Sequence, residues 1–130
     1  MARSADSYRF GKRSLTNLER VHPHLVIVAT DALAGSPYDF SVTEGWRTKT
    51  RQKQLVASGA SWTMNSRHLT GHAIDIYVIG SDWEFSFFEA VAEAFFEAAE
   101  WHGIKIQWGG HWKRHKDGPH FQLDRRRYPA

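Results

Sequence analysis

The spacing of apolar positions changes several times along the chain, and each change marks an element. After Ser14, a good N-cap, Leu15, Leu18 and Val21 follow a helical period that stops at His22-Pro23. Proline suits the first turn of a new helix, and Leu25, Val28, Ala29 and Ala32 then form an apolar stripe that ends before Gly35. The turn residues Gly35-Ser36-Pro37-Tyr38-Asp39 lead into alternation, with Phe40, Val42 and Glu44 set against Ser41 and Thr43, so a short strand ends at Gly45. Thr48 to Ser58 holds no breaker and predicts a short basic helix, followed by an irregular stretch over 60–65. Ala73 to Val78 alternates again, is rich in Ile, Val and Tyr, and predicts a second strand closed by Gly80.

Ser81-Asp82-Trp83-Glu84 has the form of a capping box at the head of a long helix. Phe85, Phe88, Ala92, Phe95 and Ala99 give that helix an apolar face, Glu89, Glu93, Glu97 and Glu100 a solvated one, and Gly103 ends it. Ile104 to Trp108 and His120 to Leu123 predict two further strands flanking a loop of Gly, His, Trp and Lys. Helices mixed with short strands that lack βαβ spacing predict an α+β fold, a small mainly antiparallel sheet packed with helices.

Length and composition narrow the picture further. The 130 residues predict one domain spanning 1–130, with 1–13 and the Asp124-Arg125-Arg126-Arg127 end (124–130) as flexible termini. Apolar residues at 42% and charged ones at 24% exclude a disordered or collagen-like chain. The longest aliphatic run, Leu25 to Ala29, is far below the ~20 residues of a bilayer span, and residues 1–24 are too polar for a signal peptide. No membrane insertion and no self-directed export are therefore expected, and a monomer is expected because no apolar seam is left over. Without cysteine there is no disulfide framework and no thiolate zinc site, so a metal has to be held by imidazole and carboxylate. A net charge of +3 favours polyanionic partners without identifying one.

Six of the eight histidines fall at 68, 72, 102, 111, 115 and 120, around the predicted strands. Asp75 lies seven residues after His68, between Ile74 and Ile76, where a buried carboxylate needs a metal, an arginine or several donors. Gly71 lets the intervening loop bring His68 back over the strand. Asp117-Gly118-Pro119 makes a rigid turn into a strand that carries His120 and Gln122 on one face and Phe121 and Leu123 on the other. If His68, Asp75 and His120 converge, they form three protein ligands with a fourth position open, the pattern of a catalytic zinc, and Asp117 beside them is placed for general acid/base work. Spacing alone leaves a structural role for these residues equally open.

Ser66-Arg67-His68-Leu69-Thr70-Gly71-His72-Ala73-Ile74-Asp75 resembles the S-x-H-x-x-G-x-A-x-D pattern of the zinc D,D-carboxypeptidase and dipeptidase superfamily, and Asp117-Gly118-Pro119-His120 resembles its later acid-x-x-His element. Trp108-Gly109-Gly110 and Pro119-His120-Phe121 are most similar to the compact phage endolysins of the L-alanyl-D-glutamate peptidase type, over about residues 14–123. His111 departs from the aspartate those endolysins often carry after Gly-Gly. The resemblance implies the D,D-peptidase/hedgehog-like zinc fold, one catalytic Zn2+ on His68, Asp75 and His120, and Asp117 as the catalytic acid/base. It implies that Arg47, in Gly45-Trp46-Arg47-Thr48, points into the site, where a guanidinium can take a substrate carboxylate. Ser66, His72 and Trp112 are the remaining candidate substrate contacts, His72 as a cleft residue and Trp112 as a cleft wall.

The implied activity is hydrolysis of the L-Ala-D-Glu amide of bacterial peptidoglycan, in a protein held in the host cytoplasm until a holin opens the membrane to the periplasm and wall. A D-Ala-D-Ala carboxypeptidase or dipeptidase is the alternative enzyme. A non-catalytic zinc module for an anionic polymer is the alternative of another class, and sequence-specific nucleic-acid binding is not expected.

Overall fold

The computed structural model describes residues 7–130. Its helices are α1 (Lys12–Asn17), α2 (Pro23–Gly35), α3 (Lys49–Ala57) and α4 (Phe85–His102), and its strands β1 (Phe40–Glu44), β2 (Ala73–Val78), β3 (Ile106–Trp108) and β4 (His120–Leu123). Short 3-10 turns cover Arg67–Thr70 and Gly109–His111. The strands form one antiparallel sheet in the order β1-β2-β4-β3, as the α+β expectation requires.

The sheet has two faces of opposite character, set by the period of two along each strand. Ile74, Ile76 and Val78 of β2 and Phe121 and Leu123 of β4 point to one face. There they meet Leu25, Val28 and Ala29 of α2 and Phe88, Ala92 and Phe95 of α4, with Phe95 stacked on Phe121 at 3.9 Å. Asp75, His120 and Gln122 necessarily point to the other face. The register sets Asp75 directly opposite His120, so two residues 45 apart in sequence become cross-strand neighbours.

Three terminal expectations change. Helix α1 starts at Lys12 with Gly11 as N-cap, so Ser14 lies inside it, buried, with its hydroxyl accepting the amide of Val42 at 3.0 Å. The hydroxyl ties helix to sheet instead of capping the helix. The capping box at Ser81 does not form either: Asp82 and Trp83 take left-handed φ values of 49° and 63°, and α4 begins at Phe85 behind Glu84. Ser81 Oγ instead accepts the amide of Trp83, closing a tight turn one step before the helix. Strand β3 starts two residues late because the amides of Gly103 and Ile104 turn back to Glu100 and Ala99 to finish α4.

The C-terminal segment, expected as a loose tail, is anchored. Asp124 Oδ1 accepts the amides of Arg126 and Arg127 at 3.0 and 3.1 Å, and Arg67 Nη2 donates to the carbonyls of Leu123 and Tyr128 at 2.9 and 2.8 Å. The Tyr128 hydroxyl lies 2.7 Å from His24 Nδ1. At the other terminus, residues 1–6 of the stretch expected to be flexible lie outside the described residues.

Candidate active site and metal centre

The polar face of the sheet forms the floor of a cleft of about 390 Å³ whose lining includes His68, Asp75, Asp117 and His120. Each of these reaches it for a local reason. Ser66 caps the 3-10 turn that carries His68, its Oγ accepting the His68 amide at 3.2 Å. Gly71 ends that turn at a left-handed φ of 75° and leads straight into β2. Asp75 and His120 are set by strand register, and Asp117 by the turn before β4.

The Trp108-Gly109-Gly110 segment fixes that turn. The indole Nε1 of Trp108 donates to the carbonyl of Gly118 at 2.7 Å, and the amide of Asp117 donates to the carbonyl of Gly109 at 3.0 Å. A Cβ on residue 109 would stand 2.3 Å from the Asp117 carbonyl oxygen, and one on residue 110 would strike the Trp108 ring. Both glycines therefore allow contacts that hold Asp117 over the cleft.

The hydrogen bonds of the two imidazoles determine what the centre can hold. Nδ1 of His68 lies 2.8 Å from the carbonyl of Gly45, which can only accept, so Nδ1 carries the proton and Nε2 presents a lone pair. Nε2 of His120 lies 2.9 Å from Gln122 Oε1, whose amide nitrogen is spent on Gln107, so His120 presents Nδ1 in the same way. Those two lone pairs face Asp75 Oδ1 at 3.3 and 3.1 Å, and one ligand atom from each of the three residues lies within 4.8 Å of the others. Three acceptors converge with no proton between them, which suits a cation of the imidazole-and-carboxylate class. The outer partners, Gly45 and Gln122, fix the tautomers that metal ligation needs.

The charges agree. Burial would raise the Asp75 carboxyl, but His68 and His120 outweigh it and hold it well below the usual carboxylate range. Burial would lower His120, yet Asp75 and Gln122 push it up, so the centre attracts positive charge. Asp117 is raised instead, first by burial and then by the negative charge of Asp75.

The other expected residues divide. Ser66 and Trp112 line the cleft, with the Trp112 ring 5.0 Å from that of His120. Arg47 lines it too, but its guanidinium is committed: Nε and Nη2 donate to Glu44 at 2.9 and 2.8 Å and Nη1 to Gln52 at 2.7 Å. Nη2 also faces Asp75 Oδ2 at 3.6 Å, so Arg47 braces the centre from behind and its paired edge is not open to a substrate carboxylate. His72 does not join the cleft lining; its Nδ1 contacts Thr70 Oγ1 and its ring packs near His22. His111 is likewise absent from the lining, stacked on Phe96 and edge-on to Trp108.

Sequence reasoning passed over Trp62, which lines the cleft and stacks on His115 at 4.5 Å across two loops. No local pattern marks such a pair. Arg125, expected in a solvated, flexible end, instead lines the cleft from the turn after β4.

Residues 6–127 match the family described as phage L-alanyl-D-glutamate peptidase. The L-alanyl-D-glutamate peptidase of Escherichia phage T5 is 41% identical over 85% of this chain and 86% of its own. An enzyme of the same name from a Listeria phage is 31% identical over 89% of this chain, which spans 42% of that longer protein. The crystal structure of the Serratia marcescens L-Ala D-Glu endopeptidase ChiX is 48% identical, covers 96% of both chains and aligns with a TM-score of 0.88. With the ligand-type triad, the acid and the Trp-Gly-Gly clamp in place, the chain belongs to the phage L-alanyl-D-glutamate peptidase family.

Proposed function

We propose that this protein is a zinc peptidase that hydrolyses the amide between L-Ala and D-Glu in the stem peptide of bacterial peptidoglycan. The observation that carries the reading is the convergence of His68 Nε2, His120 Nδ1 and a carboxylate oxygen of Asp75, each imidazole having its far nitrogen hydrogen-bonded. His68, Asp75 and His120 would hold the ion, which when bound supplies Lewis acidity that makes a water acidic near neutral pH and stabilises an oxyanion.

The protein's own groups do the rest. Asp117, raised by burial, takes a proton from the attacking water as its oxygen adds to the L-Ala carbonyl carbon. It returns that proton to the D-Glu nitrogen as the C–N bond breaks. Arg47, locked to Glu44 and Gln52, keeps Asp75 oriented and charged while Trp112 walls the cleft beside His120. Because phage proteins are made in the host cytoplasm and peptidoglycan lies beyond the membrane, we propose that it acts on the wall after a holin-type lesion gives it access.

The test is mass spectrometry of defined muropeptides incubated with the protein, with zinc or with chelator, beside Asp117→Asn. We expect zinc-dependent release of a new D-Glu amino terminus, abolished by chelator. The variant should retain zinc and lose about 10²- to 10⁴-fold in kcat. Release of D-Ala, or no cleavage by a zinc-loaded protein, would refute the reading.

A further inference from the structure

Three arginines line the cleft, Arg47, Arg67 and Arg125, and counting their donor protons separates them. Glu44 and Gln52 occupy three of the five N–H donors of Arg47, including its paired Nε/Nη2 edge. Arg67 is 6% exposed, its Nη2 spent on the carbonyls of Leu123 and Tyr128 and its Nε sealed from solvent. Arg125 differs from both: it is exposed, and among the described residues no hydrogen bond or ion pair engages its guanidinium.

Its backbone is nevertheless fixed. Arg125 follows β4 directly, and Asp124 holds the turn by accepting the amides of Arg126 and Arg127. Arg67 also lines the cleft and reaches the same turn, through the carbonyls of Leu123 and Tyr128. Of the three acids that line the cleft among the described residues, Glu44 is paired with Arg47 and Arg51 and Asp75 faces the two imidazoles, and no ion pair joins the third, Asp117, to Arg125. Asp124, the other acid beside Arg67, puts Oδ1 on backbone amides. An exposed guanidinium at the cleft, on a fixed turn and with all five donors unspent, makes a receptor for a planar anion.

We propose that Arg125 is the carboxylate-recognising residue of this cleft and binds a free carboxylate of the stem peptide. The inference rests on the peptidase reading above. In that substrate D-Glu continues through its γ-carboxyl, which leaves its α-carboxylate free beside the scissile amide; the residue after it offers a second carboxylate where it is a diamino diacid or ends the peptide. Both present the same planar anion to a bidentate guanidinium.

The test compares the zinc-loaded full chain with Arg125→Gln and Arg125→Lys on three peptides. One carries free carboxylates, one has the D-Glu α-carboxylate amidated, and one ends at D-Glu with its γ-carboxyl amidated. On the first peptide we expect Arg125→Gln to raise KM about 10-fold with kcat nearly unchanged, and Arg125→Lys to fall between, because it keeps the charge and loses the fork. If the D-Glu α-carboxylate is the group bound, α-amidation costs the wild type the same factor and the variant nothing further. If it is the next residue's carboxylate, that pattern moves to the shortened peptide. Unchanged KM in Arg125→Gln, or an equal loss on all three peptides, overturns the proposal while leaving the peptidase reading intact. A wild type that cleaves none of them removes both.

Discussion

Gln122 is a neutral side chain whose contribution lies in the orientation it imposes. Its Oε1 holds His120 Nε2 at 2.9 Å, and its own amide nitrogen is held by Gln107. Removing that support leaves the imidazole free to rotate and to change tautomer, so on the proposed zinc reading Gln122→Ala should weaken metal binding about 10- to 100-fold, read by competition with a chromophoric chelator. At this scale the sequence is informative where chemistry repeats. His68, Asp75 and His120 could be picked out because the ten-residue motif around His68 and the Asp117-Gly118-Pro119-His120 element resemble a known ligand set, which spacing alone left open, and the period of two placed Gln122 beside His120. What Arg47 does could not be read, because its partners depend on how Glu44 and Gln52 come together in space, and those same residues could equally have left it facing the substrate. His72 shows the converse: adjacency to a motif in sequence does not place a side chain in the cleft, since Gly71 turns the chain between His68 and His72.

Between residues and the whole lies the contact of β3 and the Trp108-Gly109-Gly110 segment with the Asp117 turn. The bond from the Trp108 indole to Gly118 is buried and neutral, so Trp108→Phe should cost about 1 kcal/mol in chemical denaturation. Its larger effect should fall on kcat, because the same bond fixes the turn that presents Asp117. A variant with lowered stability and wild-type kcat would contradict that role. Elements built on regular patterns were legible: β2 and β4 have the bounds that alternation predicts, and α3 starts behind Thr48, whose Oγ1 accepts the Arg51 amide. Errors collected at element ends. Ser14 and Ser81 both look like caps, but a hydroxyl takes whichever amide the tertiary structure brings near, Val42 for one and Trp83 for the other.

For the molecule as a whole, the turn after β4 links the C-terminus to the cleft through Arg67, the residue next to His68. Burial would raise the Asp124 carboxyl, but the amides of Arg127 and Arg126 hold it below its usual range. A depressed folded-state pKa stabilises above the unfolded value and is lost as pH falls through the folded one. Asp124→Ala should therefore lower Tm by a few degrees at pH 7, and the gap from wild type should close below about pH 4. A gap that persists at acid pH would mean that packing, and not the charge, carries the effect. The anchored end was illegible in the sequence because Asp124-Arg125-Arg126-Arg127 is charged enough to pass for a solvated tail, and the acceptors that hold Arg67 are backbone carbonyls.

The strand order β1-β2-β4-β3 has a consequence for timing during synthesis. Strand β2, with His68 just before it, is translated well ahead of β4, yet the partner that sits opposite Asp75 comes 45 residues later. A nascent or prematurely terminated product that stops before His120 carries two ligand-type residues, no Asp117 if it is shorter still, and an unpaired edge on β2. The centre is thus complete only once His120 has been made, so a product truncated before it lacks a ligand whatever the state of the rest of the sheet.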